Sequence, residues 1–154
     1  STAKGYIVVF TCNHCPYAKM YEDRIIALDK KYKAKGYPVV AISSNDTAQY
    51  PEDGFEPMKE RAKEKGFTFP YLFDESQGIA KIYGATRTPH VFVVQYDNNR
   101  KLFVRYIGSI DDNWEVAADV KEKYVEAAVD ALLAGKSVAV SNTKAIGCTI
   151  KWKK

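Results

Sequence analysis

The sequence predicts an α/β domain with a mixed central sheet and helices on both faces. Three observations carry this. The run Tyr6-Ile-Val-Val-Phe10 is continuously apolar, as expected of a strand covered on both faces of a sheet. A helical pattern separates it from a second strand, Pro38-Val-Val-Ala-Ile-Ser43, and strands joined by a helical crossover run parallel. Val91-Phe-Val-Val-Gln-Tyr96 and residues 101 to 107 flank Asp97-Asn98-Asn99-Arg100, a hairpin turn that adds an antiparallel pair.

The other elements follow in order. Pro16 suits the first turn of a helix, where its missing N–H costs nothing. From there Tyr17, Tyr21, Ile25, Leu28 and Tyr32 recur at steps of three and four, one face of an amphipathic helix ending near Gly36. Residues 44 to 54, with Asn45, Asp46, Pro51 and Gly54, read as a polar loop. A solvated helix follows from Glu56 or Pro57 to Lys65. Tyr71-Leu-Phe73 is a short strand, and residues 76 to 83 form a short helix closed by Gly84. Asp111, Asp112 or Asn113 is expected to cap a last long helix. Its apolar face is Ala117, Val120, Tyr124, Ala128 and Leu132, and Gly135 ends it. Residues 136 to 154, with Val138, Val140, Ile146, Ile150 and Trp152, form a tail packed on a single domain spanning 1–154.

With 154 residues, 46% hydrophobic and 27% charged, the chain reads as globular. Its net charge of +4 is dispersed, with no basic arm carrying interleaved aromatics, so nucleic acid is not an expected partner. No apolar run approaches the roughly 20 residues of a membrane span. Ser1 and Thr2 read as an expression scar on an excised domain. Three cysteines are too few for a disulfide-stapled scaffold.

Two of the three form Cys12-Asn13-His14-Cys15, between a buried strand and a helix. A helix N-terminus offers unpaired N–H groups and partial positive charge, and both stabilise a thiolate. Cys12, ahead of the helix, is the expected exposed nucleophile with a depressed pKa. Cys15 is expected to enter the helix as the shielded thiol that attacks a mixed disulfide. A protonated His14 would add positive charge near Cys12 and make the disulfide more oxidising. A C-x-x-C can also be half a zinc site, but no second pair accompanies it. Two small buried cysteines without a role is the remaining reading.

Val9-Phe-Thr-Cys-Asn-His-Cys-Pro-Tyr17 resembles the active-site segment of thioredoxin-like redoxins of the AhpC/TSA superfamily. Gly84-Ala-Thr-Arg-Thr-Pro-His-Val-Phe-Val93 resembles the segment carrying that superfold's cis-proline. Phe69-Pro-Tyr-Leu-Phe-Asp-Glu75 and Gly147-Cys-Thr-Ile-Lys-Trp152 resemble two further stretches, so the likeness covers nearly the whole chain. It implies a thioredoxin fold and a thiol–disulfide oxidoreductase that uses protein thiols or disulfides and a redox partner protein. Its working group would be a Cys12–Cys15 disulfide, with no further cofactor and no metal. The resemblance further implies Cys12 as nucleophile, Cys15 as resolving thiol, and a cis Thr88–Pro89 bond facing them. Thr88 would then pair with a substrate strand. Many resembling proteins carry signal sequences, which implies a periplasmic or extracytoplasmic setting ahead of a cytoplasmic one.

Departures from the family pattern shape the alternatives. Tyr6 stands where thioredoxins have a buried Asp, which leaves the proton acceptor unassigned. Val9 stands where peroxiredoxins have a Thr, which weakens a thiol peroxidase reading. A copper-binding module of the Sco type would use Cys12, Cys15 and His90, though with a cysteine spacing one residue longer. Arg87 reads as solvated, and so do Glu22 and Asp23, which stay weak candidates for a proton relay. Cys148 reads either as a second resolving thiol that relays oxidation from the active site or as a small buried residue; Ile146, Cys148, Ile150 and Trp152 alternate onto one covered face, so it is expected to be buried and inert.

Overall fold

The computed structural model describes residues 3–154. Ser1 and Thr2, read above as a scar, lie outside them. The chain runs β1 (Gly5–Thr11), α1 (Pro16–Tyr32), β2 (Val39–Ser43), α2 (Phe55–Lys65), β3 (Tyr71–Phe73), α3 (Gly78–Tyr83), β4 (Arg87–Thr88), β5 (His90–Tyr96), β6 (Leu102–Gly108), α4 (Tyr124–Leu133) and β7 (Cys148–Thr149). Five strands form one sheet in the order β3-β2-β1-β5-β6. β1 is parallel to β2 and β2 to β3, while β5 is antiparallel to β1 and β6. The crossover and the hairpin expected from the sequence are both present.

Alternation along β1 builds two cores. Ile7 and Val9 face one side, where Tyr21, Ile25, Leu28 and Tyr32 of α1 meet Val125, Ala128 and Val129 of α4. Val8 and Phe10 face the other, against Ala80 of α3, Phe92, Val94 and Ile150 of the tail. Both faces of the central strands are therefore covered, which is why β1 reads as an unbroken apolar run. The sheet fixes the end of β1, and the site begins there.

The long last helix expected from residue 111 onward is not formed. Residues Ala117–Asp119 make a single 3-10 turn, and α4 begins only at Tyr124. Local polar contacts explain this. The Asn113 N–H donates to Asp111 Oδ1, the Glu115 and Val116 N–H groups donate to Asn113 Oδ1, and the Lys121 N–H donates to Asp112 Oδ1. Arg24 also takes the Asn113 and Trp114 carbonyls, at 2.6 and 2.8 Å. Those groups are then lost to a helical ladder. Ala117, assigned to a buried helical face, is exposed.

The short helix starts at Gly78, two residues later than expected, because Gln77 is left-handed (φ 66°). Its side-chain amide donates to the carbonyls of Ser44 and Lys151 and accepts the Lys153 N–H, which ties the tail down. The tail itself departs from the expected single covered face. Ile150 is buried, but Ile146 and Trp152 are exposed. It is organised instead by backbone pairing. β7 is antiparallel to β4, with Thr88 opposite Cys148, and the Ile150 N–H donates to the Thr86 carbonyl at 3.0 Å.

Candidate redox site

β1 delivers Cys12-Asn13-His14-Cys15 to the start of α1. Cys15 is the N-cap residue and Pro16 opens the helix. The helix N-terminus therefore serves Cys15 first and Cys12 only at a remove. All three cysteines are free thiols; Cys12 and Cys15 are 2% and 0% exposed. The Thr88–Pro89 bond is cis. Thr88 faces both thiols, with its Oγ1 3.8 Å from Cys12 Sγ and its carbonyl oxygen 3.5 Å from Cys15 Sγ.

A second segment closes the site from the loop that the sequence offered only as polar. Residues Pro51–Asp53 form a 3-10 turn that buries Asp53 completely. Asp53 Oδ1 accepts the Asn13 and His14 N–H groups at 2.8 and 3.2 Å. Its Oδ2 accepts the Asn45 side-chain amide at 2.9 Å and contacts His14 Nδ1 in a short bond. A buried carboxylate is tolerated only with such partners. The His14 ring stacks on Tyr50, with centroids 5.2 Å apart. Asn13 is fixed in turn: its amide donates to the Glu52 carbonyl, and it accepts the Tyr71 hydroxyl at 2.9 Å. A Cys12, a His14 and an Asp53 donor atom all lie within 4.8 Å of one another.

Opposite influences act on the two thiols. The Cys12 thiol is pushed far up, first by its hydrogen bond to Cys15, then by burial and by the Asp53 charge. Cys15 is pulled down to about 4, chiefly by the hydrogen bond from Cys12. Burial opposes this shift, while Cys148, the Ala18 N–H and the Thr88 side chain add to it. The reduced pair keeps its negative charge on Cys15. The expected accessible, low-pKa Cys12 is not found: Cys12 is buried, and its hydrogen bond to Cys15, its burial and the Asp53 charge all raise its pKa.

Other sequence-selected residues fall into place. Glu22, expected to be solvated, is buried and takes both Arg61 bonds, at 2.8 and 2.5 Å. It lines a small internal cavity with Cys12, Phe67, Phe69 and Tyr71. Asp23 is exposed, as expected. His90 is turned from the thiols: its Nδ1 accepts the Thr86 N–H at 3.2 Å and its ring lies against Phe92. Among the described residues, the group able to hold an ion is Cys12, His14 and Asp53, which differs from the Cys12, Cys15 and His90 set of the copper reading. Asp53 was missed because nothing in the run Tyr50-Pro-Glu-Asp-Gly54 distinguishes its carboxylate from that of Glu52. No helix among the described residues is long and apolar enough to cross a membrane.

The parallel β-crossover, the antiparallel hairpin and a helix-borne cysteine pair facing a cis-proline define a thioredoxin-like protein. Similarity at the level of fold agrees: a thioredoxin-like protein solved in the oxidized form is 19% identical, with a TM-score of 0.66 over 88% of this chain and 81% of that one. Residues 1–105 match the AhpC/TSA family, and the chain belongs to it. An uncharacterized conserved protein from Geobacillus kaustophilus is 42% identical, with a TM-score of 0.88, covering 97% of this chain and 78% of that one. A hypothetical protein from Sinorhizobium meliloti 1021 is 38% identical, with a TM-score of 0.87, over 99% and 81% respectively. No curated protein matches the chain.

Proposed function

We propose that the protein is a thiol–disulfide oxidoreductase that exchanges disulfides with protein thiols through Cys12 and Cys15. The observation that carries this reading is the Cys12–Cys15 pair at the start of α1, with Cys12 Sγ 3.8 Å from the Thr88 hydroxyl and Cys15 Sγ 3.5 Å from the Thr88 carbonyl oxygen. A thiolate, not a thiol, attacks a disulfide. The Cys12 proton can pass along the hydrogen bond to Cys15, which moves the charge to Cys12. Cys12 then attacks a substrate sulfur, one substrate thiolate leaves, and a mixed disulfide remains. Cys15 gives up its proton to the departing second substrate thiolate as it attacks Cys12 Sγ, and the Cys12–Cys15 disulfide forms. We assign His14, held by Asp53, as the acid–base group that exchanges protons with the cysteine pair. It supplies the acid–base group left unassigned by Tyr6. An extracytoplasmic setting, where disulfides persist, suits this exchange.

Insulin reduction with dithiothreitol as donor tests the reading. The wild-type chain should accelerate it, Cys12→Ser should abolish the acceleration, and Cys15→Ser should accumulate a mixed disulfide at Cys12. A wild-type rate equal to dithiothreitol alone would sink it.

A second reading, soft-metal binding, draws on the Cys12, His14 and Asp53 donors. It is opposed by Asp53, whose two oxygens already accept three N–H groups besides the His14 contact. Zinc or copper(I) titration followed by absorbance distinguishes the two. Thiol peroxidase activity gains no such support, since Val9 is a core residue on β1 without a hydroxyl.

A further inference from the structure

The edge of Thr88, where a substrate strand was expected to pair, is already taken by the protein's own tail. β7 runs antiparallel to β4 with Cys148 opposite Thr88. This is the arrangement by which an extended peptide adds itself to an exposed strand edge. Cys148 packs into the small cluster of Cys12, Cys15 and Ala18. Gly147 makes the approach possible: a Cβ there would lie 2.0 Å from the Thr88 carbonyl oxygen and 2.7 Å from its carbon. Only a residue without a side chain lets the tail lie so close. Downstream, the Lys151 N–H donates to Asn45 Oδ1, and the Asp46 N–H to the Lys151 carbonyl, at 2.8 and 2.7 Å. The tail is anchored on both sides of Cys148.

We propose that Cys148 is a third redox thiol, held on β7 as an internal substrate, that exchanges with the Cys12–Cys15 disulfide to give a Cys15–Cys148 disulfide. The inference rests on the exchange chemistry proposed above. In the step, the Cys148 thiolate attacks Cys15 Sγ, the Cys12–Cys15 bond breaks, and the Cys15–Cys148 bond forms. Cys12 leaves as a thiolate and takes up a proton equivalent to the one Cys148 released. One disulfide replaces another, so no oxidant or reductant is consumed. The result frees Cys12 for a second attack and fastens the tail across Thr88.

The titration of Cys148 is compatible with this cycle. In the reduced protein its pKa is pushed up to about 11, first by burial and then by its hydrogen bond to the Cys15 thiolate and that thiolate's charge, with Lys151 acting the other way. Once Cys15 enters a disulfide its charge is gone. Two of the causes that hold Cys148 protonated then vanish, while burial, the largest, and the opposing Lys151 effect remain. Oxidation of the pair thus moves the third thiol toward its thiolate. Cys148, expected to be buried, is half-buried, and its raised pKa in the reduced protein fits the inert thiol expected from sequence.

The test uses the full chain oxidised with one equivalent of diamide, quenched in acid and digested with trypsin without reduction. Cys12 and Cys15 share the peptide 5–19 and Cys148 lies in 145–151. A cross-link between those peptides is expected alongside the internal Cys12–Cys15 bond. Cys12→Ser should give the cross-link as its main intramolecular disulfide, which assigns it to Cys15. Gly147→Ala, which keeps all three thiols but displaces the tail, should reduce the cross-link at least tenfold relative to the Cys12–Cys15 bond. A free Cys148 in every sample, or a cross-link indifferent to Gly147→Ala, overturns the inference. Insulin reduction separates the two levels: a wild-type chain that reduces insulin with Cys148 always free retains the exchange reading and loses this one. A cross-linked chain that fails on insulin does the reverse.

Discussion

Cys12 and Cys15 lie within one turn of chain and meet opposite surroundings. On the Cys12 side stands the loop of residues 44 to 54, which brings a fully buried carboxylate to within reach of the thiol. On the Cys15 side stand the start of α1, the Thr88 segment and the tail, which bring hydrogen-bond donors. The same residue type is driven up in one place and down in the other. The C-x-x-C spacing supplies two sulfurs and the hydrogen bond between them, the largest influence on both; Asp53, Thr88 and Cys148, roughly 40, 75 and 135 residues away, add to it from opposite sides. Burial raises both thiols; at Cys15 it is outweighed by the hydrogen bond from Cys12.

The largest expected effect is on the charge of the pair. Thiolate absorbance near 240 nm in the reduced protein should persist on acidification until about pH 4. Cys15→Ser should remove that low-pH thiolate. A folded pKa below the unfolded one contributes stability that is full above the unfolded value, near 9, and lost as pH falls toward about 4. The urea midpoint of the reduced wild type should therefore fall over this window more than that of Cys15→Ser. A low-pH thiolate that survives in Cys15→Ser and disappears in Cys12→Ser would invert the comparison.

Next in size is Asp53→Asn. The substitution removes the charge that repels a Cys12 thiolate and weakens bonds to the Asn13 and His14 N–H groups. Losing charge-assisted bonds at a buried site should destabilise the protein by about 2 kcal/mol, read from denaturant midpoints. It should also raise the share of iodoacetamide labelling that falls on Cys12 at pH 6, scored by tandem mass spectrometry. No change in that share would remove Asp53 from the electrostatics of the pair. Thr88→Val is the milder probe. It deletes one hydroxyl facing both sulfurs and keeps the backbone pairing with β7, so the insulin reduction rate should change by less than about tenfold, ~1 kcal/mol.

Much of this was open to a reader of the sequence, for definable reasons. β1, α1 and the hairpin carry strong periodic patterns, and Pro16 and Gly84 mark an element start and an element end. The cysteine pair was legible because its place follows from strand and helix order, and the cis Thr88–Pro89 bond only through the family resemblance. Asp53 and Cys148 were not, since each acts through a long-range contact that local pattern does not encode. The failed alternation of Ile146, Cys148, Ile150 and Trp152 makes the point: backbone pairing with Thr88, not a shared apolar face, fixes the tail. The last helix failed for a related reason, because Arg24, about 90 residues away, claims the carbonyls that a helix would need.

His90 offers the smallest and sharpest check, because it adjoins Pro89 and yet takes no part in the comparison. Its ring nitrogen Nδ1 is engaged by the Thr86 N–H, and it packs on Phe92. Its pKa is lowered from the usual 6.5, first by burial and then by the charge of Arg87, with no contribution from either thiol. A buried neutral His must become charged on unfolding in acid, so the unfolded chain binds the proton at higher pH than the folded one. Its contribution to stability is full above about pH 6.5 and declines as pH falls toward its depressed folded value. His90→Phe should therefore flatten the acid side of the stability profile without changing the alkaline side. The imidazole proton resonance of His90 should titrate at the same pH in the reduced and the oxidised protein. A His90 titration that moves with the redox state would join it to the thiols electrostatically and restore the case for a site that extends past Pro89.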